Sequence, residues 1–451
     1  MRVHFIAIGG SAMHNLAIAL HKKGFHVTGS DDKIFEPSKS RLQNHGLLPV
    51  KEGWSPDTIS EDLDAVILGM HARSDNPELL KAQKLNLKVY SYPEYLYEQT
   101  KNKKRVVIAG SHGKTTITSM LLHVLKETGR KFDFMVGAHI KGFDTMVELS
   151  DESDIAVFEG DEYLSSPIDL RPKFLWYKPR IALVTGVAWD HVNVFPTEEE
   201  YNHQFELFAQ TLEPGGSFIF YQQDPVLQAI AHRHPELNAL SYNEVETESF
   251  NGETLVVCDE RNYVLKIFGH HNFQNLAGAL LVAKDLGVTE KDFWESMQYF
   301  EGAARRLQVL SENENASVFY DFAHAPSKVK ATVAAVKDQY PHRQLLAVVE
   351  LHTFSSLNRE FLPQYEGAME NADEAVVFFD PEVVAHKKLE EVTIKDVEHA
   401  FAKKGLKVFT DGDKLHQFLA GKRLENSNLL LMTSGNLAGI DVNALAEEVL
   451  S

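Results

Sequence analysis

A single cysteine in 451 residues, Cys258, leaves no partner for an internal disulfide and predicts a chain working in a reducing compartment such as the cytoplasm. No apolar run approaches the roughly 20 residues that a membrane-crossing helix needs, so membrane insertion is not expected. The opening "MRVHFIAIGG" enters a strand pattern directly and is broken by glycine, which does not read as a signal peptide. Basic side chains are in deficit, 45 against 64 acidic ones, for a net charge of −19. That deficit disfavours nonspecific binding to nucleic acid or an anionic membrane. A small anionic substrate stays possible, because glycine-rich backbone, one lysine and a divalent cation can set the local field. Repeats of solenoid length and low-complexity tracts are missing too. What remains is an ordinary globular composition, 44% hydrophobic and 24% charged, long enough for two or three domains.

The first hundred residues alternate apolar runs with helical patterns. "RVHFIAIGGSAMHNLAIALHKKG" reads as strand, glycine turn and helix; "HVTGSD" and "LDAVILGM" read as two further strands. Such a βαβ series predicts a parallel sheet of Rossmann type. Its glycine signature is partial: Ala7, Gly9 and Ala12 stand where Gly-x-Gly-x-x-Gly would be expected, with Asp31 about twenty residues on. The polar run "EQTKNKKR", 98–105, reads as a linker. A second α/β series follows with "DIAVFEGDEY", "RIALVTGVAWDH" and "GSFIFY". A third contains "ASVFYDFAH", "QLLAVVELH", "EAVVFFD" and "NLLLMTSGN". Each apolar run ends in polar residues, where α/β proteins collect ligands.

The junction "VVIAGSHGKTTITSML", 106–121, carries the strongest chemistry. A buried strand over 106–109 meets a helix predicted over 116–125, with two glycines, a lysine and a hydroxyl between them. Backbone N–H groups of such a turn and the helix N-terminus hold phosphate oxygens, Lys114 adds charge, and Thr115 can reach Mg²⁺. The full Walker pattern needs glycine where Ile108 stands, so the loop is shortened, and an ordinary βα turn is the plain alternative. Glu159, Asp161 and Glu162 end the next strand, and one or two carboxylates suffice for Mg²⁺ beside phosphates; a solvated acidic turn would look the same. Asp190 and His191 end another strand. In "GHHNFQNLAGAL", Asn272 and Asn275 fall one helical turn apart, which suits an adenine edge or a pair of helix caps. Arg305 and Arg306 offer a phosphate-binding guanidinium or a surface ion pair.

Together and in this order, "GSHGKTT", "EGDE", the Asp-His pair, "GHHNFQN", "ARRL" and "DFAHAP" resemble the Mur ligase family over essentially the whole chain. That resemblance implies an α/β protein of three domains: a Rossmann-like UDP-N-acetylmuramate domain over 1–100, a central P-loop domain for ATP and Mg²⁺ over 101–303, and a Rossmann-like amine-substrate domain over 304–451. It implies an ATP-dependent amide-forming ligase in which Lys114, Glu159, His191 and Arg306 are catalytic. ATP would lie on Gly110, His112, Gly113, Lys114, Thr115, Thr116, Asn272, Asn275, Arg306 and Asp321. Magnesium would be held by Thr115, Glu159 and His191. The UDP-sugar would meet Gly9, Gly10, Ser11, Ala12, Met13, Ser30, Asp31 and His71, and the amine substrate His324 and His352.

Within the family, "GSD" after the second strand resembles the branch that acts on UDP-N-acetylmuramate itself. Several ligases of other branches carry a carbamylated lysine after the magnesium histidine, and this chain has no lysine from Ile181 to Leu265. "DLRPKFLWYKPRIALVTG", "HARSDNPEL" and Phe322-Ala323 look closer to members attaching the tripeptide L-Ala-γ-D-Glu-meso-diaminopimelate than to those adding L-alanine. Ala325, Ser327, Gly186 and Leu351-His352 depart from the usual motifs of that branch, so both amine donors stay open. Two other classes compete: a dinucleotide-dependent oxidoreductase, which leaves Lys114 and Thr115 without work, and a non-catalytic protein on the ligase fold. The expected partners are UDP-N-acetylmuramate and a peptide or amino acid. The sequence does not set the oligomeric state.

Overall fold

The computed structural model describes residues 1–451 apart from Asp190, Val192, Asn193, Asn251 and Gly252, so the Asp190 reading lies outside the described residues. The chain divides into two compact units, 1–243 with 278–293 and 244–277 with 294–451. No described helix is long and apolar enough to cross a membrane.

The first unit holds two mainly parallel sheets. One has four parallel strands in the order His26–Ser30, Arg2–Ile6, Ala65–Leu68 and Val89–Ser91. The helix Ser11–Lys22 leaves the glycine turn that follows the Arg2–Ile6 strand. The other sheet runs Asn238–Tyr242, Ser217–Tyr221, Ile181–Val184, Lys104–Ala109, Ile155–Glu159, Asp133–Met135 and Val147–Glu148. Only the last of these pairs antiparallel. Val106, Val107, Ile108 and Ala109 are fully buried, as a central parallel strand with both faces covered requires. In this register Ala109 sits beside Val184, and Ile108 beside Glu159. The carboxyl ends of three strands therefore converge at Gly110, Glu159 and Thr185.

The polar run 98–105 is not a free linker. Its start completes the helix Tyr92–Thr100, and its end opens the strand Lys104–Ala109. Two of its cations, Lys103 and Arg105, are bound inward. Lys103 Nζ lies 2.6 Å from Asp133 Oδ2 and 2.9 Å from Ser153 Oγ. Arg105, almost wholly buried, donates to the carbonyls of Tyr177, Thr100, Lys103 and Lys178 and to Glu213. Charge here marks a staple between elements, which composition cannot distinguish from solvated charge.

The second unit centres on a six-stranded sheet ordered Gln308–Glu312, Ala316–Asp321, Ser427–Met432, Gln344–Leu351, Glu374–Phe379 and Lys407–Phe409. All are parallel except the first, an antiparallel edge. The last strand in sequence inserts beside the earliest parallel one, so chain direction through the sheet reverses there. Such reversals open crevices at the carboxyl ends of strands. Asp321, Glu350 and Thr433 stand at this point. A three-stranded antiparallel sheet over Glu248–Phe250, Glu253–Cys258 and Arg261–Leu265 was not legible from periodicity.

Candidate active site

Gly113, in the left-handed region at φ 75°, opens the helix Lys114–Glu127, which begins two residues earlier and ends two later than its apolar pattern predicts. Gly110 has φ 118°, and a Cβ there would stand 2.2 Å from Thr185 Oγ1, so glycine is required. Thr185 closes the loop from behind: its N–H donates to Ala109 O and its hydroxyl to His112 O. The loop is a rigid cradle rather than a loose turn.

Lys114 Nζ donates to Gly110 O at 2.7 Å and to Glu162 Oε2 at 2.9 Å. Burial opposes its charge, but the carboxylates of Glu162, Asp161 and Glu159 outweigh that and hold it above the usual lysine range. Burial likewise pushes Glu162 up, but Lys114 and His191 draw it well below the usual carboxylate range. Tyr201 OH donates to Glu162 Oε1 at 3.0 Å and lies 2.9 Å from Ser111 Oγ. His191 Nε2 is 3.5 Å from Glu162 Oε1, its ring edge-on to Tyr163 at 5.4 Å. Glu162, one of three acids in a strand-end triplet, is thus the hub of the site, and Tyr201 its buried support. The sequence offers Glu162 only as one of three acids that could hold Mg²⁺, and it does not single out Tyr201.

Thr115 Oγ1 donates to Glu159 Oε1 at 2.9 Å, and Gly137 N–H donates to Glu159 Oε2 at 2.8 Å. A hydroxyl and a carboxylate so placed beside the loop form the hard-oxygen donor set that Mg²⁺ takes, so the residues fit that ion. Thr116 is buried in the first turn of the same helix.

At the first glycine turn, Gly9 N–H donates to Asp31 Oδ2 at 2.6 Å, and His71 Nε2 is 3.0 Å from Asp31 Oδ1. Ser11 and Ala12 are exposed where the helix begins, while Met13 is buried, its Cγ 3.4 Å from where a Gly10 Cβ would be. Ser30 is buried, its hydroxyl given to Glu78. Asp31, Asp32 and His71 bring ligand atoms within 4.8 Å of one another, but Asp31 already serves Gly9 and His71. The Asp31 hydrogen bond raises His71 despite burial, and His71 and Gly9 lower Asp31 against its own burial. The pair's stabilisation is complete below the free imidazole value of about 6.5 and fades as pH rises through the raised His71 value. At the acid end, Asp31's contribution holds above the free carboxylate value of about 3.9 and is lost through its lowered one. Asp31→Asn is expected to return the His71 titration, followed by NMR, toward about 6.5. An unmoved titration would show that the pair does not set it.

The second unit brings the remaining candidates into two groups. Asn272 and Asn275 are buried in the helix His270–Asp285, where Asn272 Nδ2 donates to Phe268 O at 2.8 Å and Asn275 Nδ2 to Asn272 Oδ1 at 3.4 Å. At the sheet, Asp321 Oδ2 accepts Leu307 N–H at 2.5 Å and Oδ1 accepts Ala323 N–H at 2.6 Å. The Arg306 guanidinium lies 4.7 Å over the Phe322 ring, and its Nη1 donates to Arg305 O. His324 Nδ1 is 2.8 Å from Phe322 O. Glu350, unforeseen as a site residue, is 3% exposed; Oε2 accepts from Thr433 and from Leu437 N–H, and Oε1 is turned to His352 Nδ1 at 3.7 Å.

Models of three consecutive segments match this chain: the Mur ligase family catalytic domain over 2–104, the Mur ligase middle domain over 108–283 and the Mur ligase glutamate ligase domain over 305–435. A UDP-N-acetylmuramate–L-alanine ligase of Arthrobacter sp. is 32% identical over 387 residues, covering 83% of this chain and 80% of that protein. The chain belongs to the Mur ligase family. It is therefore an ATP-dependent ligase that forms amide bonds. Among solved Mur ligases, the UDP-N-acetylmuramate:L-alanyl-γ-D-glutamyl-meso-diaminopimelate ligase from Neisseria meningitides superposes with TM-score 0.61 at 26% identity, over 67% of this chain and 99% of that one. The UDP-N-acetylmuramate–alanine ligase of Thermotoga maritima shares the fold with TM-score 0.73 at 20% identity, over 100% and 98%.

Proposed function

We propose that this Mur ligase joins UDP-N-acetylmuramate to the tripeptide L-Ala-γ-D-Glu-meso-diaminopimelate, recycling a peptidoglycan fragment in the cytoplasm. The observation that carries the choice of amine donor is the buried Glu350 facing His352 at the strand-end crevice of the second unit. L-alanine has one amino group, which must lose a proton to attack. The tripeptide carries one further ammonium group on its diaminopimelate, for which a buried carboxylate is a specific acceptor. The Neisseria likeness supports the same choice. The 32% identity to an L-alanine ligase favours the second reading, free L-alanine as donor.

In the proposed reaction a sugar carboxylate oxygen attacks the γ-phosphorus of ATP, the bond to the β-phosphate oxygen breaks, and ADP leaves. The donor nitrogen then attacks the acyl carbon, the carbon–oxygen bond to phosphate breaks, and the nitrogen gives up its proton. Lys114, released from Glu162 toward the phosphates, neutralises charge on the transferring group. Magnesium would be held by Thr115 and Glu159, with His191 at a second ion, and supplies Lewis-acid stabilisation of the phosphate oxygens. His112, Gly113 and Thr116 shape the loop; Asn272, Asn275, Arg306 and Asp321 are the further residues assigned to the nucleotide; and the turn at Gly9, Gly10 and Asp31 takes the UDP-sugar.

Mass spectrometry after incubation with UDP-N-acetylmuramate, ATP, magnesium and an equimolar mixture of tripeptide and L-alanine tests the proposal. The tripeptide adduct should dominate; an alanine adduct alone would favour the second reading. Glu159→Ala and His191→Ala should each raise the magnesium giving half-maximal phosphate release by about tenfold or more. Unchanged magnesium dependence in both would misplace the metal site.

A further inference from the structure

Asn15 is fully buried in the interior of the helix Ser11–Lys22. A buried amide there costs stability unless both its ends are satisfied. Both are. Asn15 Nδ2 donates to Ser11 O at 2.8 Å, at the start of the helix that leaves the first glycine turn. Asn15 Oδ1 accepts Met146 N–H at 3.0 Å, from a segment 131 residues away that edges the central sheet.

The arrangement is braced at each end. His14 Nδ1 lies 2.9 Å from Gly10 O, and its Nε2 lies 3.1 Å from Asn15 Nδ2. That geometry suits a neutral imidazole donating through Nδ1 and accepting through Nε2, and burial lowers the His14 titration in the same sense. On the far side, Met146 O accepts Val136 N–H at 3.0 Å. The next residue, Gly137, gives its N–H to Glu159 Oε2. A Cβ on Gly137 would stand 3.0 Å from Glu159 Oε1, so backbone and carboxylate are already at close quarters. Glu159 Oε1 in turn holds Thr115.

We infer that Asn15 is a positioning residue that couples occupancy of the glycine turn at Gly9 and Gly10 to the placement of Glu159 beside the phosphate loop. The path runs Gly10–Ser11, Asn15, Met146, Val136–Gly137, Glu159, and every step is a hydrogen bond or one peptide unit. Two anionic substrates must meet with a carboxylate oxygen in line with a phosphorus, and an error of about 1 Å is costly. A single buried amide tying the turn for one substrate to the carboxylate beside the other fixes that distance. The inference rests on the proposal that the first turn takes the UDP-sugar and Glu159 serves the ATP-bound magnesium.

Calorimetry on the full-length protein tests it with magnesium and the non-hydrolysable analogue AMP-PNP, in the absence and presence of saturating UDP-N-acetylmuramate. In the natural protein the sugar nucleotide should tighten AMP-PNP binding by about fivefold or more. In Asn15→Leu that ratio should fall to about one, with AMP-PNP affinity in the absence of the sugar within about twofold of the natural value. A purely structural role would weaken both measurements together and leave the ratio standing. The same ratio in both proteins, or no tightening in the natural one, overturns the inference. Should Asn15→Leu fail to fold, amide exchange in the natural protein decides: UDP-N-acetylmuramate alone should slow exchange at Met146 and Gly137, and unchanged exchange overturns the inference. No heat of binding for UDP-N-acetylmuramate would instead overturn the substrate reading, and the inference with it.

Discussion

Lys114→Ala should lower phosphate release by about a thousandfold or more while far-ultraviolet circular dichroism stays that of the folded protein. The side chain sits at the phosphate cradle, held by Gly110 O and Glu162, and charge removed there is missing where negative charge is redistributed. The substitution also strips Glu162 of its principal cation. Burial then pushes the Glu162 carboxyl up, since Lys114 and His191 are what hold it low. A carboxylate lowered in the folded state contributes stability above its unfolded value and loses it as pH falls. Lys114→Ala should therefore flatten the acid limb of the stability profile as well as stop turnover. Near-normal phosphate release would remove the lysine from the chemistry.

Arg105→Ala should have the largest effect on stability, about 3–5 kcal/mol, read as a lower urea midpoint. Arg105 is almost wholly buried and hydrogen-bonds four backbone carbonyls and Glu213. Alanine leaves those acceptors without their donor and opens a cavity where a long side chain lay. Arg105→Lys should recover little, because an ammonium cannot span the same fork of acceptors. A midpoint within experimental error of the natural protein would mean that water replaces the guanidinium at no cost.

Arg105 also shows where sequence reading stops. Continuous apolar runs such as Val106–Ala109 announce buried parallel strands, because two covered faces leave no alternation to misread. The phosphate loop is legible for a related reason: glycines at Gly110 and Gly113 answer a backbone need that few other residues meet. Charges in a polar run carry no such mark, so 98–105 read as a linker although Lys103 and Arg105 within it are turned inward as staples. Tyr201 and Glu350 were hidden in the same way, as was the part of Glu162 as partner of Lys114. An acid in a triplet, a tyrosine in an amphipathic helix and a glutamate ending an apolar strand become site residues only when distant segments place partners beside them. The sheet of Glu248–Phe250, Glu253–Cys258 and Arg261–Leu265 escaped because its strands are short and their alternation is blurred: Val257 and Val264 are exposed while Thr254 is buried.

The most direct test of the substrate assignment is the ratio of kcat/KM for the tripeptide to that for L-alanine, measured by phosphate release with UDP-N-acetylmuramate, ATP and magnesium saturating. A donor whose remote groups engage Glu350 and His352 can use that binding energy to reach the transition state, and the small amino acid cannot. The predicted ratio is at least about a hundredfold in favour of the tripeptide, the worth of roughly 3 kcal/mol. A ratio of one or below would contradict the tripeptide assignment and leave an ATP-dependent ligase of the Mur family whose donor is L-alanine.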